Sequence, residues 1–125
     1  MKFERVMLVD DSEPDQFLAK LVLSRYRPGI EVMQAYDGKE ALDLLASDAK
    51  QPDVIFLDIN MPRMDGHEFL KEFDKTGHDA TIVVMLTSSD QARDKAETEH
   101  YDYVLEHISK PLREEHLEAL NRIKV

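Results

Sequence analysis

Five short apolar runs, at residues 6–9, 30–35, 54–57, 82–86 and 104–108, alternate along the chain with segments whose apolar residues recur at the period of a helix. Runs that are apolar at almost every position, rather than at every second one, are strands covered on both faces. Strands that alternate with helices join through right-handed crossovers, so they line up parallel, with helices on both sides of the sheet. The predicted fold class is therefore α/β, a doubly wound five-stranded parallel sheet with five helices. The 125 residues hold one domain, 1–125, on the usual scale of roughly 100–200 residues per domain.

The first helix is expected to begin near Pro14, whose ring suits a first helical turn, and to turn Phe17, Leu18, Leu21 and Val22 inward before Arg27-Pro28-Gly29 stops it. A second opens near Gly38 with Ala41, Leu42 and Leu45 inward. A third carries Phe69, Leu70 and Phe73 and ends around Gly77, and the last follows Pro111 and buries Leu117, Leu120 and Ile123. The fourth, at 90–100, has only Ala92 and Ala96 as apolar residues. So little area holds it that it is the segment expected to move.

Acidic residues outnumber basic ones 26 to 16, a formal charge of −10 that repels nucleic acid and anionic lipid, so neither is an expected partner. The absence of cysteine excludes a disulfide scaffold, a thiolate zinc site and a cysteine nucleophile, and suits a reducing cytosol. The longest apolar run, 82–86, falls far short of the roughly 18 residues of a membrane span. The opening Met-Lys-Phe-Glu-Arg lacks a signal-peptide core, so a cytoplasmic location is expected. The four glycines form neither a Walker loop nor a dinucleotide fingerprint.

In doubly wound sheets, ligands bind beyond the carboxyl ends of the strands, where the strand order reverses. Here those ends read Val9-Asp10-Asp11, Leu57-Asp58, Leu86-Thr87-Ser88 and Ser109-Lys110-Pro111. With a spatial order of 2-1-3-4-5 the first and third strands are neighbours, and Asp10, Asp11 and Asp58 converge. Three carboxylates that close need a countercharge. A hard divalent cation with oxygen ligands supplies it, and Mg2+ fits best, since it keeps several waters and takes one or two carboxylates plus a phosphate. Singly, each residue has a plainer reading: Asp10 or Asp11 caps the following helix, Thr87, Ser88 and Asp90 cap another, and Lys110-Pro111 begins a turn. Asp58 has no such role, because it follows four apolar residues and precedes the loop Ile59-Asn60-Met61-Pro62. The combination of four polar strand ends carries the argument.

The stretches 6–14 (VMLVDDSEP), 53–66 (DVIFLDINMPRMDG), 81–90 (TIVVMLTSSD) and 101–111 (YDYVLEHISKP) resemble the receiver domain of two-component response regulators, in order and spacing, over essentially the whole chain. The resemblance implies a CheY-like, flavodoxin-like (βα)5 fold with strand order 2-1-3-4-5, and a phosphorylation switch. By position, Asp58 matches the acceptor whose carboxylate takes a phosphoryl group from a sensor histidine kinase or a histidine phosphotransfer protein. Asp11, with Asp10 acting through water, matches the acidic pair that holds Mg2+, and the backbone carbonyl of Asn60 falls where the family supplies another ligand. Thr87 matches the hydroxyl that moves to a phosphoryl oxygen. Lys110 matches the lysine that pairs with the acceptor and then with the phosphoryl group, before a cis bond to Pro111 that aims it inward. Such a protein is no classical enzyme, only a phosphoacceptor that assists its own phosphorylation and dephosphorylation.

One position departs from the family. Three residues before the lysine, where the family has a switching tyrosine or phenylalanine, stands His107. It is expected either to sit half-buried on the last strand or to serve as the switch residue with a proton-dependent bias. A Mg2+-dependent phosphohydrolase would need an acid or base beside Asp58, which Ile59 and Asn60 do not offer, and a purely structural module would not need Asp11, Asp58, Thr87 and Lys110 together. With no effector domain expected after Val125, the output is contact with an unidentified protein target through the segment from the fourth helix to the fifth, or passage of the phosphoryl group along a phosphorelay. The form is expected to be a monomer or weak dimer.

Overall fold

A computed structural model describes residues 3–47, 50–76, 80–87, 97–98 and 100–123. The chain runs β1 (Arg5–Val9), α1 (Glu13–Tyr26), β2 (Glu31–Ala35), α2 (Gly38–Ser47), β3 (Val54–Leu57), α3 (Gly66–Phe73), β4 (Ile82–Thr87), β5 (Val104–Ser109) and α4 (Glu114–Asn121). All strand pairs are parallel and the order across the sheet is β2-β1-β3-β4-β5. Four helices are seen among the described residues. The helix expected at 90–100, and the mobility expected of it, lie outside them apart from Glu97, Thr98 and His100, and so does Gly77.

β3 and β4 are buried at every position, which is why their sequences are apolar without alternation. Successive side chains point to opposite faces of the sheet. Val54 and Phe56 accordingly join one core with Phe3, Val6, Leu8, Leu23, Leu117 and Leu120, while Ile55 and Leu57 join another with Met7, Val9, Phe69, Leu70 and Phe73. Ile123 packs half-buried on the first core, and Leu42 and Leu45 on the second.

The inward face of α1 is not the predicted one. Gln16, Ala19 and Leu23 are buried, Val22 is half-buried, and Phe17, Leu18 and Leu21 stand 67 %, 49 % and 37 % exposed. Apolar residues occur around most of this helix, so their spacing alone does not choose a face. Gln16 chooses it: its side-chain nitrogen donates to the carbonyls of Ala35 at 2.8 Å, Asp10 at 3.1 Å and Leu8 at 3.3 Å, and its oxygen accepts from Gln34 at 3.1 Å. A buried amide with its partners satisfied outweighs the apolar pattern, because burying it unpaired would be unfavourable. The helix starts where expected, with Ser12 capping the backbone N–H of Asp15 at 3.3 Å and Pro14 in the first turn.

Candidate functional site

All five strands end on one edge of the sheet, and the ladders continue a residue beyond them. Asp58 N–H donates to the Val9 carbonyl at 2.9 Å, and Asp10 N–H to that of Ala35 at 3.1 Å. Asp10 and Asp58 therefore leave the sheet side by side, both buried, with exposed Asp11 next along the turn. One carboxylate oxygen from each of the three lies within 4.8 Å of the others. Asp10 also accepts from Ser12 N–H, and Asp58 from Ile59 N–H, each at 2.9 Å. An all-oxygen donor set of concentrated negative charge, open to water on the Asp11 side, has the chemistry a hard divalent cation requires.

The Lys110–Pro111 bond is cis. The backbone of Lys110 is tied to the end of β4 by a 2.6 Å bond from its N–H to the Thr87 carbonyl. Its ammonium lies 2.7 Å from Asp10, 2.9 Å from Asp15 and 3.4 Å from Asp58. Burial pushes the carboxyl of Asp58 above its ordinary range; the charge of Lys110 pulls it back and that of Asp10 adds to the rise. Burial would lower Lys110, but its bonds to Asp10 and Asp15 and the charges of Asp10 and Asp58 hold it above the usual lysine value. The ammonium of Lys110 is thus shared among three carboxylates, of which Asp58 stands farthest from it. Asp15 carries no signal in the sequence that marks it for this site: it stands in the first turn of α1, while Asp11 lies before the helix cap at Ser12.

The loop after Asp58 is fixed by contacts that the sequence pattern does not announce. Arg63, in the left-handed region at φ 62°, donates through Nε to the buried carboxylate of Asp37 at 2.7 Å. Gly38 N–H donates to the Met64 carbonyl at 2.9 Å and Gly66 N–H to that of Ile59 at 2.8 Å. At Gly66 the chain folds back so closely that a Cβ would stand 2.5 Å from the Asp58 carbonyl oxygen and 2.9 Å from Ile59 Cα. Both obstacles are backbone and cannot swing away. Gly66→Ala is expected to lower stability by about 2–3 kcal/mol, read as a lower urea midpoint; an unchanged midpoint would mean that this approach is not tight.

Thr87 closes β4, buried, at the same edge, in register with Ser109 beside Lys110. Asn60 is exposed, two residues beyond Asp58 on the loop. His107 sits half-buried on β5, paired with Met85 across the ladder, and its Nε2 lies 2.7 Å from the hydroxyl of Thr98. No helix of the described residues is long and apolar enough to cross a membrane.

Comparison with known proteins adds a family to this geometry. The profile of the response regulator receiver domain matches residues 6–122. The response regulator MprA of Mycolicibacterium vanbaalenii is 40 % identical over 91 residues, which are 73 % of this chain and 37 % of that protein. A two-component response regulator from Cytophaga hutchinsonii superposes with a TM-score of 0.87 at 30 % identity, covering 97 % of this chain and 96 % of the other. The chemotaxis response regulator CheY4 of Vibrio cholerae does so with a TM-score of 0.80 at 32 % identity, covering 97 % and 98 %.

Proposed function

Because the chain belongs to the response regulator receiver family, we infer that it is a Mg2+-dependent phosphoacceptor switch in which Asp58 takes a phosphoryl group from a histidine kinase or phosphotransfer protein. The observation that carries this reading is the single cluster at the sheet edge: three carboxylates within 4.8 Å of one another and an ammonium 3.4 Å from the Asp58 carboxylate. Phosphoryl transfer needs positioning and charge neutralisation more than covalent help from the protein. Asp58 is anchored by its backbone bond to Val9 and by Ile59 N–H, which fixes its carboxylate at the sheet edge. Lys110 stands where it can meet the charge that develops on the phosphoryl oxygens. Asp10, Asp11 and Asp58, with the Asn60 carbonyl, are the residues that would hold Mg2+; when bound, the ion neutralises the carboxylates and the incoming phosphate.

Thr87 and His107 are the positions assigned to the switch. Thr87 would bond a phosphoryl oxygen, and His107 would exchange its contact with Thr98 for an inward position, altering the surface offered to a protein target. A cytosolic location goes with this role. The test is the intact mass of the protein after incubation with acetyl phosphate and Mg2+: one added phosphoryl group supports the reading. No addition would leave a structural module, and rapid turnover of unrelated phosphate esters would point to a hydrolase.

Phe17, Leu18 and Leu21 stand exposed on α1, the helix whose first turn brings Asp15 to Lys110. Exposed apolar side chains on that helix are a natural contact for a protein donor. Phe17→Asp combined with Leu21→Asp is expected to slow transfer from the cognate phosphodonor protein about tenfold or more, with labelling by acetyl phosphate unchanged. Equal slowing with both donors would show that the substitutions disturb the site itself.

A further inference from the structure

In the resting protein the ammonium of Lys110 is 2.9 Å from Asp15 and 3.4 Å from Asp58. Asp15 is no part of the sheet edge. It reaches the ammonium from the first turn of α1, its own backbone N–H held by Ser12. We propose that Asp15 is a positioning residue that acts through Lys110, competing with the reacting phosphoryl group for the ammonium and so holding down the rate of phosphoryl transfer at Asp58. The proposal rests on the phosphoacceptor reading and refines it.

An ammonium has three donors, and three carboxylates surround this one. Any bond that Lys110 keeps to Asp15 is unavailable to a phosphoryl oxygen. In the forward reaction, an Asp58 oxygen bonds to phosphorus as the bond from phosphorus to the acyl oxygen of acetyl phosphate breaks and acetate leaves. In decay, a water oxygen bonds to phosphorus, the Asp58 carboxylate leaves, and the proton of the water passes to solvent. Both pass through a planar phosphoryl group with charge on its equatorial oxygens. Asp15 therefore restrains both directions. Its side chain is 41 % exposed against 12 % for Lys110, so the effect is moderated by solvent.

Asp15→Asn keeps the size of the side chain and removes the charge. It is expected to speed both the labelling of Asp58 by acetyl phosphate and the decay of the phosphoprotein by about threefold or more each. In a Lys110→Met background, where both rates are low, the same substitution is expected to change neither, since pairwise action disappears when the partner is gone. A second reading needs no phosphate: in metal-free protein the NMR signal of the Lys110 ammonium is expected to move in Asp15→Asn. Acceleration that persists in Lys110→Met would overturn the proposal, because Asp15 would then act as a bulk charge, and so would slower rates in both directions or an unmoved ammonium signal. Labelling of Asp58 at equal rates in both proteins would overturn the proposal alone, whereas a wild-type protein that takes no phosphoryl group would overturn the reading beneath it as well.

Discussion

Asp58→Asn is expected to take up phosphoryl groups from acetyl phosphate at least about a hundredfold more slowly than the wild-type protein, because an amide oxygen is a far weaker nucleophile than a carboxylate. The neighbours are not expected to substitute. Asp10 is bound to Lys110 at 2.7 Å and to Ser12 N–H, and Asp11 lies exposed on the turn, away from the ladder that anchors Asp58. Loss of labelling in this variant is not loss of fold, since the asparagine oxygen still accepts from Ile59 N–H. The substitution should even stabilise the metal-free protein at neutral pH. Burial raises the folded-state pKa of Asp58, so its ionised form disfavours folding, and that penalty fades as pH falls through the raised value. A higher urea midpoint for Asp58→Asn at neutral pH, converging on wild type in acid, is the expected pattern.

Removal of Mg2+ is expected to have an effect of similar size. With a chelator present, the dianionic donor must approach Asp10, Asp11 and Asp58 with Lys110 the one cation beside them among the described residues, and labelling is expected to fall about a hundredfold. Asp11→Asn should reproduce much of that loss in the presence of Mg2+, since Asp11 is the member of the cluster open to water. The ion should also stabilise the wild-type protein in proportion to the logarithm of its concentration above the dissociation constant. A thermal midpoint that rises with Mg2+ in wild type and stays flat in Asp11→Asn is expected; equal rises in both would place the ion elsewhere.

Much of this architecture was legible because its signals are local and repeated. The continuous apolar character of 54–57 and 82–86 reports strands buried on both faces, and the polar residues that end four strands must share an edge once those strands are parallel. That reasoning alone brought Asp10, Asp11, Asp58, Thr87 and Lys110 to one edge. The order of the strands was a different matter, because it depended on resemblance to a family.

What escaped was decided by tertiary hydrogen bonding. The apolar residues of α1 face outward because Gln16, a polar residue, is the one that finds three carbonyls at the ends of β1 and β2. The pairing of Arg63 with Asp37 joins residues 26 positions apart, and neither has a local pattern to mark it. The share of Lys110 taken by Asp15 spans 95 positions and depends on the bend of the chain into α1. Spacing reveals periodicity within an element; it does not reveal which of several acids a distant cation will meet.

The central claim is tested most directly by locating the phosphoryl group. Wild-type protein incubated with acetyl phosphate and Mg2+ is reduced with borohydride, which converts an aspartyl phosphate to homoserine, and its peptides are sequenced by mass spectrometry. The predicted result is homoserine at position 58 and at no other aspartate. Homoserine at Asp10 or Asp11, or none anywhere in a protein that binds Mg2+, would contradict the account.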